Sequence, residues 1–61
     1  MTHWNFGNQR LFKSLDKAAQ YAVDSDLGPE DLMVLEDGKN VPADRHDRKD
    51  LEMYMKEWVT L

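Results

Sequence analysis

The chain contains no cysteine, so it can form neither a disulfide nor a thiolate metal site. Small secreted domains usually depend on disulfides, and their absence favours the reducing cytoplasm. The sequence also lacks any apolar run near the roughly 18 residues that a membrane-spanning helix requires. Its first residues lack the basic and then apolar order of a signal peptide. We therefore expect a complete, soluble, cytoplasmic protein with no membrane segment.

The sequence is too short for more than one small domain, 1–61. A chain of this size buries about 60% of the surface that it exposes when unfolded, so its stability is marginal. Aromatic residues make up 10% of the chain, and large rings bury much area per ordered residue. Once such a core is built, little volume remains for a substrate pocket, which usually needs about 300 Å³ or more. We therefore expect no enzymatic activity, no catalytic residue and no cofactor.

Two turn signals predict β-hairpins. Gly7-Asn8 suits a two-residue turn that pairs Trp4 with Leu11. A disordered start followed by one short strand through Phe12 is the alternative for this segment.

The second turn signal, Asp37-Gly38, is the strongest in the chain. It places Glu36 opposite Lys39, and an opposite-charge pair across an antiparallel ladder is favourable. Val34 then faces Val41 on the same side of the predicted sheet.

Two further segments have helical periodicity. Ser14 is a natural N-cap for the first, and Gly28-Pro29 is expected to end it, while Asp44 can cap the second. The predicted fold class is α+β, a small antiparallel sheet of two β-hairpins, order ββαββα, packed against two amphipathic helices. The predicted buried stripes are Leu15, Ala18, Ala19, Ala22 and Val23 in the first helix, and Leu51, Tyr54, Met55 and Trp58 in the second.

The nearest approach to a metal site is the run Asp44, His46 and Asp47. It offers one imidazole, and the adjacent Arg45 opposes a cation, whereas zinc requires several convergent nitrogen or sulfur ligands. Capping of a helix explains the two aspartates, as it explains Ser14. No metal ligand is therefore predicted.

The densest charge lies between residues 24 and 37, which contain six acidic side chains and no lysine or arginine. Leucine, methionine and valine are interleaved with the acids, so a folded surface is expected rather than a tail. Such a negative surface repels nucleic acid and favours basic partners. The acids are Asp24, Asp26, Glu30, Asp31, Glu36 and Asp37.

Three interpretations of this segment stay open. A solvated acidic face would keep a small domain soluble. Carboxylates on a rigid scaffold could instead imitate phosphates and occupy a nucleic-acid channel, with their charge steering the encounter. In the third interpretation Met33 and Leu35 form the apolar centre of an interface, and the acids form its rim. The predicted partner-binding residues are the six acids together with Met33 and Leu35.

In size and charge the chain resembles the short, acidic, cysteine-free accessory proteins that bacteriophages and mobile elements encode to disable host machinery. The resemblance implies no particular target or residue. We expect a non-catalytic protein-binding module that inhibits or regulates a larger, basic, nucleic-acid-handling protein. It would not contact nucleic acid directly, and it would work in the host cytoplasm if a phage encodes it. The alternative is a structural or assembly subunit, a small homodimer held through Trp4, Tyr54, Trp58 and outward methionines.

Overall fold

A computed structural model describes residues 2–7 and 10–60 of the chain. The α+β class and the small antiparallel sheet are confirmed. In chain order the elements are the strand β1 (His3–Asn5), the helix α1 (Leu15–Asp24), a 3₁₀ turn (Pro29–Asp31), the strands β2 (Met33–Glu36) and β3 (Lys39–Pro42), and the helix α2 (Arg45–Thr60).

The sheet has β2 at its centre, with β1 and β3 antiparallel on either side of it. The β2–β3 register pairs Glu36 with Lys39 and Val34 with Val41, as the sequence predicts. Asp37 and Gly38 have φ angles of 51° and 77°. A type I′ turn requires positive φ at both central residues, which explains this pair of residues at the tip of the hairpin.

The first hairpin differs from its prediction by one residue of register. Trp4 pairs with Phe12 rather than with Leu11, through backbone hydrogen bonds of 2.9 and 2.8 Å. The shift turns Phe12 toward the helices, where its ring centroid lies 5.2 Å from that of Tyr21, and it leaves Leu11 47% exposed. A slip of one residue exchanges the two faces of a strand, so burial of Phe12 decides the register.

Because Phe12 makes one bridge, the described residues contain three strands rather than the four of ββαββα. The predicted turn residue Asn8 lies outside the described part of the chain. Both edges of the sheet are protected against a further strand. The Phe12 bridge covers β1, and Pro42, which has no N–H to donate, ends β3.

Helix α1 begins as predicted and ends earlier than predicted. Ser14 Oγ accepts a hydrogen bond from the Lys17 N–H at 3.3 Å. At the other end Asp26 adopts a left-handed φ of 57°, and the Leu27 N–H then donates to the Ala22 carbonyl at 2.8 Å. The prediction of Gly28 as the terminator was wrong, because aspartate is one of the few non-glycine residues that tolerate this conformation.

Helix α2 is capped by Asp44, whose Oδ1 accepts a hydrogen bond from the Asp47 N–H at 2.8 Å. Leu51 is fully buried, and Met55 and Trp58 are partly buried beside it. Tyr54, predicted on this stripe, is 39% exposed. At about 100° per residue Tyr54 lies roughly 60° from Leu51 around the helix, on the side away from Met55, so it falls at the margin of the buried face.

The centre of the core consists of small and aliphatic side chains, and the aromatic rings lie around it. Val34 is in this core, so its face of the sheet is the one that meets the helices. Met33 and Leu35 therefore point to the opposite face, because successive strand residues alternate. The core residues are Ala18, Ala19, Leu32, Val34, Ala43 and Leu51.

Candidate binding surfaces

All six predicted acids are exposed, and the structure divides them into two groups. Four lie along the connection from the end of α1 to the 3₁₀ turn, and we call them the connection acids. The other two lie at the tip of the β2–β3 hairpin, and we call them the hairpin acids. The connection acids are Asp24, Asp26, Glu30 and Asp31, and the hairpin acids are Glu36 and Asp37.

Strand β2 separates the two groups. Asp31 precedes β2 and Glu36 ends it, so at about 3.3 Å per residue their backbones lie roughly 16 Å apart. Segment 24–37 is therefore continuous in sequence, but its acids form two separate groups on the surface. Separation beyond a Debye length of about 10 Å at 0.1 M salt lets each group act on a partner largely on its own.

The connection acids are carried on hydrogen-bonded backbone. The Asp31 N–H donates to the Gly28 carbonyl at 3.0 Å, and the Leu32 N–H donates to the Pro29 carbonyl at 3.1 Å. Asp31 Oδ2 also accepts a weak bond from the Gly28 N–H at 3.4 Å. These bonds order the backbone that carries Glu30 and Asp31.

The hairpin acids have neighbours that sequence reasoning missed. Glu36, Asp44 and Asp47 line one shallow hollow of about 220 Å³, together with Val34, Val41 and Pro42. Asp44 and Asp47 were interpreted only as helix-capping residues. They line the same hollow as Glu36 because the start of α2 lies beside Val34 and Val41, which is a tertiary arrangement with no signal in local spacing.

Met33 and Leu35 lie on the sheet face that points away from the helices, and both are half-buried. Along β2 this apolar pair lies between the two acidic groups, but Glu36 points to the face of Val34, so it does not form a rim around Met33 and Leu35. The face is not purely apolar, because the amides of Asn5 and Asn40 hydrogen-bond across it.

The two tryptophans of the predicted dimer contact are directed inward. Trp4 Nε1 donates to Asp47 Oδ2 at 3.3 Å, and Trp58 Nε1 donates to Asp16 Oδ1 at 3.2 Å within the same chain. Both rings also pack against the core. Of the residues named for that contact, Tyr54 and the outward Met53 remain on the surface.

His46 Nδ1 lies 3.4 Å from Asp50 Oδ2, and the imidazole is largely exposed. Over residues 2–7 and 10–60 no group of three or more histidine, aspartate or glutamate side chains is placed to hold a metal ion. Within the same ranges no helix has both the length and the apolar character needed to cross a bilayer.

Comparison of the chain with protein-family models, with curated proteins and with solved structures finds no match. Function is therefore inferred from the residues of the surface described above.

Proposed function

We propose that this chain is a non-catalytic protein-binding module that inhibits or regulates a larger, basic, nucleic-acid-handling protein. The observation that carries the proposal is the pair of exposed acidic groups at the two ends of β2, with the half-buried Met33 and Leu35 between them. Binding would block the partner sterically and electrostatically, and it requires no bond to be made or broken.

The charge of the chain indicates which class of partner it binds. The net charge of −4 comes from 12 acids and eight bases, and no base lies between residues 24 and 37. The negative electrostatic field of these acids accelerates the encounter with a positively charged surface, and it disfavours partners that are themselves negatively charged. Proteins that bind nucleic acid neutralise its phosphates with surfaces rich in lysine and arginine, so a nucleic-acid-binding groove is a target that fits.

Geometry favours a groove over a single basic pocket. Two anionic groups roughly 16 Å apart would engage basic side chains at two places, and Met33 and Leu35 would add apolar contact from the sheet face that Glu36 does not share. A standard interface covers about 800 Å² on each partner. That area is about a fifth of the 4503 Å² surface of this chain, so one face of the molecule is large enough.

The test is affinity capture from cell lysate at low salt with three matched double variants. Glu30→Gln with Asp31→Asn neutralises connection acids, and Glu36→Gln with Asp37→Asn neutralises the hairpin acids. The control removes the same charge elsewhere, through Asp50→Asn with Glu57→Gln on α2. Asparagine is chosen at Asp37 because it tolerates the positive φ of 51°.

The proposal predicts that the wild-type chain and the control retain the same basic protein. Each neutralised variant should lose most of it, and added duplex DNA or RNA should release it from the wild type. Retention that is equal in all four proteins and insensitive to nucleic acid would overturn the proposal. Circular dichroism of each variant checks that folding is unchanged.

A further inference from the structure

A shallow apolar hollow of about 290 Å³ lies where the 3₁₀ turn packs against the C-terminal half of α2. Its apolar walls are Pro29 from the turn and Met55 and Val59 from α2. Met55 and Val59 are one helical turn apart, so they lie within about 40° of each other around the helix. Met55 is partly buried against the core, whereas Val59 is 69% exposed, the highest value among the large apolar side chains in the described part of the chain. Part of this apolar surface is therefore in contact with solvent.

The two charged residues that line the hollow give it no net charge. They are Glu52 and Lys56, and their side chains form an ion pair in which Lys56 Nζ lies 3.7 Å from Glu52 Oε1. Both side chains are largely exposed. Any preference of the hollow for a charged ligand therefore comes from residues beside it.

Two of the connection acids lie beside the hollow. Glu30 and Asp31 directly follow Pro29 in the same 3₁₀ turn. The Glu30 carboxylate lies against Gly28, and Asp31 Oδ2 accepts the Gly28 N–H at 3.4 Å, so both carboxylates are close to the residue that precedes Pro29. Among residues 2–7 and 10–60 neither carboxylate forms an ion pair with a lysine or an arginine. The apolar hollow thus has two carboxylates at one end whose charge the described residues do not neutralise.

We propose that this hollow is the docking site for a segment of the basic partner in which an apolar side chain, such as leucine, is flanked by arginine or lysine. The proposal rests on the function proposed above, and it adds an apolar contact to the connection acids. The apolar side chain would lie between Pro29, Met55 and Val59. A flanking basic side chain would reach Glu30 and Asp31.

Charge complementarity selects this occupant. A segment with aspartate or glutamate beside its apolar residue would bring like charges against Glu30 and Asp31, and an uncharged segment would leave both carboxylates without a partner. A second copy of the chain carries a net charge of −4 and is disfavoured for the same reason. An apolar residue flanked by bases is the sequence that satisfies both parts of the surface.

The probe is the synthetic peptide acetyl-Gly-Arg-Arg-Leu-Arg-Arg-Gly-amide, titrated at low salt into the ¹⁵N-labelled chain and followed by NMR. One control peptide has serine in place of leucine and keeps the charge. The other has glutamine in place of the four arginines and keeps the leucine. The leucine peptide should shift the backbone amide resonances of Glu30, Met55 and Val59 together. Each control peptide should bind about tenfold more weakly, because it loses either the buried leucine or the charge contacts.

Two substitutions on α2 test the hollow from the side of the chain. Val59→Ser removes apolar surface from its wall, and Met53→Ser is the matched control, because Met53 is also exposed but does not line the hollow. Val59→Ser should weaken binding of the leucine peptide about fivefold and leave the serine peptide unaffected. Met53→Ser should change neither affinity. Glu30→Gln with Asp31→Asn should weaken binding of both arginine peptides. Thermal melting of each variant confirms that the compared chains are folded.

Equal affinities of the leucine and serine peptides, or of the wild type and Val59→Ser for the leucine peptide, would overturn the docking site. So would amide shifts confined to residues away from the hollow, or no binding of the leucine peptide. These results leave the function proposed above in place, because capture from lysate tests that function without a peptide. Peptide binding as expected, with no basic protein captured from lysate, would support the docking site and count against that function.

Discussion

The side-chain amides of Asn5 and Asn40 hydrogen-bond to each other in both directions, at 2.8 and 3.1 Å, although β1 and β3 are not neighbours in the sheet. The pair crosses over β2 on the face away from the helices. Asn5 is only 2% exposed, and its Oδ1 also accepts the Gly7 N–H at 2.9 Å. The Asn5 side chain therefore links the two edge strands, and its bond to Gly7 orders the backbone that follows β1.

Asn5→Ala should lower the free energy of unfolding by about 1–3 kcal/mol, because it removes a buried amide and its partners. Asn40→Ala should cost a similar amount, because it leaves the buried amide of Asn5 without its partner. Urea denaturation of both variants and of the double variant gives the coupling between them. A coupling near zero would mean that the amide pair does not stabilise the sheet.

Leu51→Ala and Trp58→Ala should each cost about 2–5 kcal/mol, because they open cavities where α2 packs on the core. In a domain this small either change is large compared with the total stability. Tyr54→Ala is the control on the same helix, and we expect it to cost about 1 kcal/mol or less because Tyr54 lies at the margin of the buried face. Equal losses at Tyr54 and Leu51 in thermal melting would contradict the buried face assigned to α2.

Ala18→Leu and Ala19→Leu should each destabilise the fold by about 1–3 kcal/mol, because both alanines are fully buried where the helices meet. Gln20→Leu on the exposed side of α1 adds a leucine at the neighbouring position and should change stability by no more than about 0.5 kcal/mol. Chemical denaturation of the three variants measures these changes in the free energy of unfolding. Tolerance of leucine at Ala18 and Ala19 would show that the helices are not in close contact.

The parts of the fold that local chemistry determines could be predicted. The Asp37-Gly38 turn fixes its own register, and Ser14 and Asp44 cap the helices that follow them. The first hairpin could not be predicted in detail, because its register depends on burying Phe12 against Tyr21 of a different element. The end of α1 was missed because Asp26 takes a conformation for which Gly28 is the stronger sequence signal.

The candidate site was predictable in composition but not in shape. Charge counting identifies the six acids and their exposure. Their division into two groups follows from β2 running between them, and the approach of Glu36 to Asp44 and Asp47 follows from the position of α2. Neither relation is visible in the spacing of residues along the chain.

Gly38→Ala should lower stability by about 1 kcal/mol or more, because Gly38 has a φ of 77° that side chains other than glycine rarely adopt. Gly28→Ala is the comparison, at an extended φ of −118°. The atoms nearest to a Cβ at Gly28 would be those of the Glu30 carboxylate, the far end of a flexible side chain that can move aside. A cost at Gly28 that equals or exceeds the cost at Gly38 would argue against the type I′ turn.

The salt dependence of binding shows whether the acidic groups of the chain hold the partner. It is measured by calorimetric titration of the captured partner with the purified chain between about 50 and 500 mM salt. If the acids bind a basic surface, affinity falls steeply as salt rises, and the slope becomes shallower when either the connection acids or the hairpin acids are neutralised. An affinity that stays constant across this range, in the wild type and in both neutralised variants, would contradict it.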